Sequence, residues 1–415
     1  MCSQKMIAPF LCTTRRCFVT LKGSHSGVSA AKLREIGIGY GSQEIKECVI
    51  KAIQARSSLD VLMTDLDVLL CDVHDTEIPD TLLQRQVNSL TMFETSQQYA
   101  QKMKTFASSR SPRKGNSVAA YRSSLHNLLN RAECSTLIKL LEEKRCITRK
   151  PHIIRKEDST DEGEHKARGP IIVSTLPALS QQNALIDSLR GSLLGHVCCG
   201  NASTIYQLGD TTLITFLPVG LFAQVICSAP NYANRLEFMT RKQKHSSAVL
   251  NALFKLDVLN EGDGFSADDF LPAIPEKTSK TSRGTRLHEV GIQGDLMYGL
   301  SIAPKSSVRI GNIPILSHAQ DGEKDTLLKF VFWMDETAKL KKKDKLGEVL
   351  RSWFPNVDPL TACDAGALGA NDFATLFGAA LPMFKEGKCS HAFLRGFKAF
   401  CSCYEVEKRT EEFFD

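Results

Sequence analysis

The chain has 415 residues, 42% hydrophobic and 24% charged, which is ordinary for a globular protein with one large or two modest domains. No apolar run approaches the roughly 18 residues that a membrane-spanning helix requires. Formal net charge is +6, and six of those charges (Lys5, Arg15, Arg16, Lys22, Lys32 and Arg34) lie in the first 34 residues, which contain no acid. Without them the remainder is neutral, so the body of the protein is not a bulk polycation, and any nucleic-acid contact must come from local patches.

Residues 1–32 combine that basic, acid-free composition with apolar Phe10, Leu11, Phe18, Val19 and Leu21. The pattern predicts a mitochondrial presequence, cleaved near Arg16–Lys22; a disordered basic tail is the other reading. Next comes Leu33-Arg-Glu-Ile-Gly-Ile-Gly-Tyr-Gly-Ser42, a short strand-like run with glycines at 37, 39 and 41. Glycine has no Cβ and tolerates positive φ, so such a run lets backbone approach a ligand closely; it also suits a plain tight turn. Residues 43–56 repeat apolar positions at Ile45, Val49 and Ile53, which predicts a helix. Over 59–75 the period says helix, while Val61–Asp65 reads equally as a short buried strand ending in an acid. As such a strand it would place Asp65 at about the spacing after Gly41 that suits a ribose-binding acid.

Residues 80–105 read as a helix, 108–115 as a basic linker and 117–147 as a helical hairpin. The charged stretch 149–168 reads as disordered, making 106–168 an insertion. From 170 the pattern turns to α/β. A strand is predicted at Pro170–Ser174, a helix at 180–195, and strands at 211–217 and 221–228. A helix follows near 243–256, then strands near 294–302, 306–311 and 326–334. Helices fill 335–405, with a break at Phe354-Pro355.

The 14 cysteines contain no CxxC pair. The nearest approach to a metal set is Cys389-Ser-His391 with Cys401-Ser-Cys403, whose single-residue spacing is shorter than structural zinc sites use, so no metal is assigned. Asp65-Leu-Asp67 has the outline of a phosphatase nucleophile pair, but Val-Leu follows where Gly-Thr is expected. Basic clusters stand at Arg110–Lys114, Arg149–Lys156, Arg241–Lys244, Lys277–Arg286 and Lys339–Lys345. They read either as solvated loops or as phosphate contacts.

Taken together, these segments resemble the rRNA adenine N6,N6-dimethyltransferase family, which includes the mitochondrial transcription factor B proteins. Glu35-Ile-Gly-Ile-Gly-Tyr-Gly41 is similar to the family's cofactor loop, Met63-Thr-Asp-Leu-Asp67 to its ribose-binding segment, and Asn88-Ser-Leu-Thr91 weakly to the segment facing the cofactor adenine. Ala229-Pro230 with Tyr232 and Arg235-Leu236, Phe270–Pro275, Lys341–Lys343 with its following helix, and Asp372–Leu376 resemble later family segments in the same order. The resemblance implies an α/β fold with a Rossmann-like, class I S-adenosylmethionine-dependent methyltransferase sheet and a small, mostly helical C-terminal domain. The implied boundaries are a presequence and arm at 1–32, a methyltransferase-like domain at 33–318 and helices at 319–415.

The resemblance also implies S-adenosylmethionine as cofactor, held by Glu35, Gly37, Gly39, Gly41, Asp65 and Asn88. It implies RNA contact through Lys341, Lys342, Lys343, Arg241 and Lys242. The catalytic loop departs from the family: Thr175-Leu176-Pro177-Ala178 stands where Asn-Leu-Pro-Tyr/Phe holds and stacks the target adenine. The expectation is therefore a mitochondrial-matrix homologue with weak or lost catalysis and possible loss of cofactor, without a membrane. It would bind small-subunit rRNA in ribosome assembly intermediates beside other assembly factors. An active dimethyltransferase and a mitochondrial transcription factor or structural ribonucleoprotein subunit are the alternatives.

Overall fold

A computed structural model describes residues 39–57, 62–110, 117–123, 131–143, 169–175, 188–195, 204–226, 240–260, 264–266, 269–271, 296–305, 308–310, 313–316, 321–356 and 364–405. Its centre is a seven-stranded sheet: β2 (Asp67–Cys71), β3 (Ser89–Phe93), β4 (Ser117–Tyr121), β5 (Ile171–Thr175), β6 (Thr212–Pro218), β7 (Phe254–Val258) and β9 (Met297–Pro304). The spatial order is β4-β3-β2-β5-β6-β9-β7. Strands β4, β3, β2, β5 and β6 run parallel, and β9 is inserted antiparallel between β6 and β7. This is the Rossmann-like methyltransferase sheet that the sequence resemblance implied.

Alternation along the strands fills both faces. In β2, Val68 and Leu70 join one apolar cluster and Leu69 and Cys71 the other, as period-two geometry requires. On the first face pack α1 (Gln43–Gln54), α2 (Glu77–Gln84) and α3 (Gln97–Ser109). Ser42 caps α1 by accepting the Ile45 N–H, and Ile45, Val49 and Ile53 form its buried stripe. On the second face lie α4 (Arg131–Glu143), α5 (188–195), α6 (Val219–Ile226) and α7 (Arg241–Leu253). Thr240 and Gln243 make a reciprocal capping box at the start of α7.

The C-terminal helices continue that second cluster. They are α8 (Asp321–Ala338), α9 (Leu346–Trp353), α10 (Ala370–Lys385) and α11 (His391–Glu405), with Trp333, Phe354, Phe373, Phe377, Phe384 and Phe393 buried among them. The Trp333 indole N–H donates to the Phe373 carbonyl at 2.8 Å, so α8 and α10 are joined by a satisfied polar bond inside an aromatic core. Two small antiparallel pairs stand outside the central sheet among the described residues. One joins β1 (Gly39–Tyr40) to β8 (Phe270–Leu271), and the other joins β10 (Val308–Ile310) to β11 (Ile313–Leu316).

Several local expectations are corrected. Residues 80–105 are not one helix: β3 lies between α2 and α3. Residues 117–121, expected inside a helical hairpin of an insertion, form β4, the sheet's edge. The 221–228 run is helical through Ile226, and 326–334 lies within α8. Both are apolar on nearly every side because they are buried on nearly every side, so composition alone imitates a buried strand. The presequence, the 149–168 stretch and the Lys277–Arg286 cluster lie outside the described residues.

Candidate functional site: the carboxyl ends of the parallel strands

Strands β2 and β5 are neighbours, yet the chain leaves β2 toward β3 and β4 on one side and continues from β5 to β6 on the other. A doubly wound sheet opens a crevice at that reversal, outside the strands' carboxyl ends. Asp72–Thr76 follows β2 there, Glu94 follows β3, and Thr175 ends β5.

The first loop, Asp72-Val-His-Asp-Thr76, has no glycine. Asp72 (φ 53°) and His74 (φ 64°) nevertheless adopt left-handed backbone conformations. For non-glycine residues each such conformation costs on the order of 1 kcal/mol. Hydrogen bonds from β3 and the residues after it hold the loop in place. The Asp72 N–H donates to the Phe93 carbonyl at 2.7 Å, and the Asp72 carboxylate accepts the Thr95 N–H at 2.9 Å. Burial pushes the Asp72 carboxyl up to about 7; the Thr95 N–H opposes the shift and the Glu94 charge adds to it.

Both oxygens of the buried Glu94 carboxylate are used by His74. One accepts the His74 backbone N–H at 3.0 Å, and the other lies 3.0 Å from its Nδ1. The imidazole stacks on Tyr99 with centroids 4.1 Å apart and planes 21° off parallel. Lys102 Nζ donates to the His74 carbonyl at 3.0 Å. On the outer side Lys46 of α1 bridges Asp75 and Glu77, each at 2.7 Å.

The segment Gly39–Ser42 covers this loop. A Cβ at Gly39 would sit 2.5 Å from the His74 ring and 2.8 Å from the Asp72 carbonyl, so only glycine allows the approach. The Asp269 carbonyl accepts from both Gly41 N–H (2.7 Å) and Ser42 N–H (2.9 Å), strapping the segment down beside β8. Tyr40 is fully buried, its ring edge-on to Phe216 of β6 with centroids 5.8 Å apart. Its hydroxyl faces that of Thr175. The two hydroxyls do not complete a hydrogen bond of good geometry, and neither has another partner among the described residues. Burial pushes the Tyr40 phenol well above its ordinary value, so it stays neutral.

Several expected site residues fall elsewhere. Gly39 and Gly41 do reach the carboxyl ends of the strands, but as a cover over the β2 loop; they are not the turn that follows the first central strand. Asp65 does not end a strand. It closes a 3-10 turn (Met63–Asp65) ahead of β2, at the opposite end of the sheet from the crevice. Asn88 sits at that same amino end, bonding Asp67 at 2.7 Å. Arg241 is engaged inside the fold, donating to the Leu340 carbonyl at 3.0 Å and to that of Ala365, with its guanidinium over Phe373. Lys242, Lys341, Lys342 and Lys343 are exposed. Glu35, Gly37, Leu176, Pro177 and Ala178 lie outside the described residues, as do Ala229–Leu236. Among the described residues no three His, Cys, Asp or Glu side chains group as metal ligands.

The sequence reading missed Asp72, His74 and Glu94. The available signal was a pair of apolar runs, Val68–Cys71 and Leu90–Phe93, each ending in an acid. Glu94 follows His74 by 20 residues, the interval expected between a nucleotide loop and its ribose acid. A nucleoside needs that acid free and the loop bare. Here Glu94 is fully buried with each oxygen against His74, and the loop carries a ring, so the described residues as arranged do not fit one.

No family model and no curated protein matches the sequence. Among solved structures, a dimethyladenosine transferase from Plasmodium falciparum aligns over 85% of this chain and 99% of its own, with 10% identity and a TM-score of 0.44. The 23S rRNA methyltransferase ErmE aligns over 82% of this chain and 98% of its own, with 11% identity and a TM-score of 0.37. At such identities the fold assignment rests on the strand order itself.

Proposed function

We propose that this chain is a diverged homologue of the rRNA adenine dimethyltransferases that binds small-subunit rRNA during mitochondrial ribosome assembly and transfers no methyl group. The observation that carries the reading is Tyr40 packed against Thr175. In an enzyme of this kind the acceptor adenine enters at the end of the fourth parallel strand, where an amide and a neighbouring carbonyl accept hydrogen bonds from its amine. Thr175 offers a hydroxyl on a short stem, and it meets the buried Tyr40 hydroxyl of the same chain.

What then remains useful is the scaffold. Exposed Lys242 and Lys341–Lys343 supply positive charge that can meet phosphates without reading bases. Residues 1–32 serve as the mitochondrial address in this reading, the sheet domain and the 319–415 helices form the RNA platform, and other assembly factors dock on the same intermediate.

The test is a methyl-transfer assay from S-adenosylmethionine to small-subunit rRNA, paired with crosslinking and sequencing of RNA bound in mitochondria. The expected result is small-subunit rRNA recovery with no N6,N6-dimethyladenosine formed. Robust double methylation would overturn the non-catalytic reading, and recovery of promoter DNA instead of rRNA would overturn the partner.

A further inference from the structure

We propose that His74 is an internal ligand: its imidazole occupies the nucleoside crevice of this fold, which is thereby closed to S-adenosylmethionine and related nucleosides. The inference deepens the functional reading above and rests on its assignment of the crevice. Three independent features converge on it. The first is backbone conformation. Where nucleotide-binding loops use glycine to reach positive φ and leave room for a ligand, Asp72 and His74 hold φ of 53° and 64° and carry side chains. The strain is tolerated because it delivers the ring to one place, and strained residues of this kind cluster at ligand sites.

The second feature is the slot. The imidazole meets the bare backbone of Gly39, where any Cβ would clash with ring atoms at 2.5 and 2.8 Å, and stacks on the Tyr99 ring with centroids 4.1 Å apart. A planar ring stacked on an aromatic face and approached closely by glycine backbone is how a heterocyclic ligand is bound, except that this ring is covalently part of the loop. The third is the acid. Glu94 stands at the end of β3, where a ribose-binding carboxylate belongs, and both its oxygens engage His74. A tethered ligand has a very high effective concentration, so a free nucleoside competes with it at a large disadvantage.

The test uses the full chain with thermal shift and calorimetry, and adenosine, S-adenosylhomocysteine and imidazole as probes. Wild type is expected to show no adenosine or S-adenosylhomocysteine binding. His74→Gly relieves the backbone strain and empties the slot. It is expected to melt at lower temperature, to recover with millimolar imidazole, and to bind adenosine saturably under conditions where wild type gives no signal. His74→Asn, whose side chain tolerates left-handed backbone but provides no ring, is the second variant should glycine loosen the loop. Saturable nucleoside binding by wild type would overturn the proposal, as would a folded ring-less variant that responds to neither imidazole nor adenosine. Binding of rRNA by the same samples separates the two readings. Wild type without rRNA affinity defeats the functional assignment alone, whereas wild type with nucleoside affinity defeats the internal-ligand proposal alone.

Discussion

The Arg241 guanidinium lies 4.9 Å from the Phe373 ring centroid while donating to the carbonyls of Leu340 and Ala365. One side chain thus ties the start of α7 to α10 and to the segments flanking α9. Burial lowers its affinity for the proton, with Asp344 opposing, but no ordinary pH deprotonates an arginine. Arg241→Ala removes two charged hydrogen bonds and a cation–π contact, and should cost about 2–4 kcal/mol. Arg241→Lys cannot reproduce the fork and should recover less than half of that loss. Urea denaturation of the three proteins measures both.

Asp72 gives stability a definite pH dependence. Its carboxyl is raised to about 7 in the folded protein, chiefly by burial. Between the ordinary carboxylate range and that value the folded state holds a proton that the unfolded state has lost. The Asp72 contribution therefore favours folding at acid pH and is lost as pH rises from about 4 to about 7. Asp72→Asn keeps an acceptor for the Thr95 N–H, tolerates the left-handed backbone and removes the charge. It should raise the melting temperature at pH 7.5 and leave it nearly unchanged at pH 4.5; an equal shift at both values would contradict the assignment.

Tyr40 separates packing from polarity. Its hydroxyl and that of Thr175 face each other without a partner among the described residues, so Tyr40→Phe discards a group left unsatisfied there. The variant should match wild type or exceed it by up to about 1 kcal/mol. Tyr40→Ala instead empties the contact with Phe216 and should cost about 3–5 kcal/mol. Chemical denaturation of the pair checks the signs.

Those residues also show what the sequence could and could not disclose. Strand β5 was legible because Ile171–Val173 is an apolar run opened by Pro170, and α1 because Ile45, Val49 and Ile53 repeat on one face. Strand β2 was hidden by coincidence. Leu59, Leu62, Leu66 and Leu69 keep helical period straight through it, while the structure uses Val68–Cys71 as a central strand buried on both faces. Strand β3 was hidden by brevity, five residues between two helices whose periods it does not interrupt. In the site, glycines advertised the cover and not the loop beneath it. The loop is built from Asp72 and His74, which carry no local signature, and its meaning lies in a contact with Glu94 that only folding creates.

The exposed lysines provide the last test, because they separate charge from structure. Lys341, Lys342 and Lys343 project from the turn between α8 and α9, whereas Arg241, in the same neighbourhood, is engaged with backbone carbonyls. If the lysines meet rRNA phosphates, replacing all three by Ala should leave the melting temperature unchanged and weaken binding to every helical RNA by a similar factor. The slope of log affinity against log salt should fall by about 2–3, since each neutralised phosphate releases most of one counterion. Arg241→Ala should instead lower the melting temperature and, below it, leave the salt slope intact. Filter binding at several salt concentrations distinguishes the two; a triple-Ala protein with an unchanged slope would remove this surface from the RNA interface.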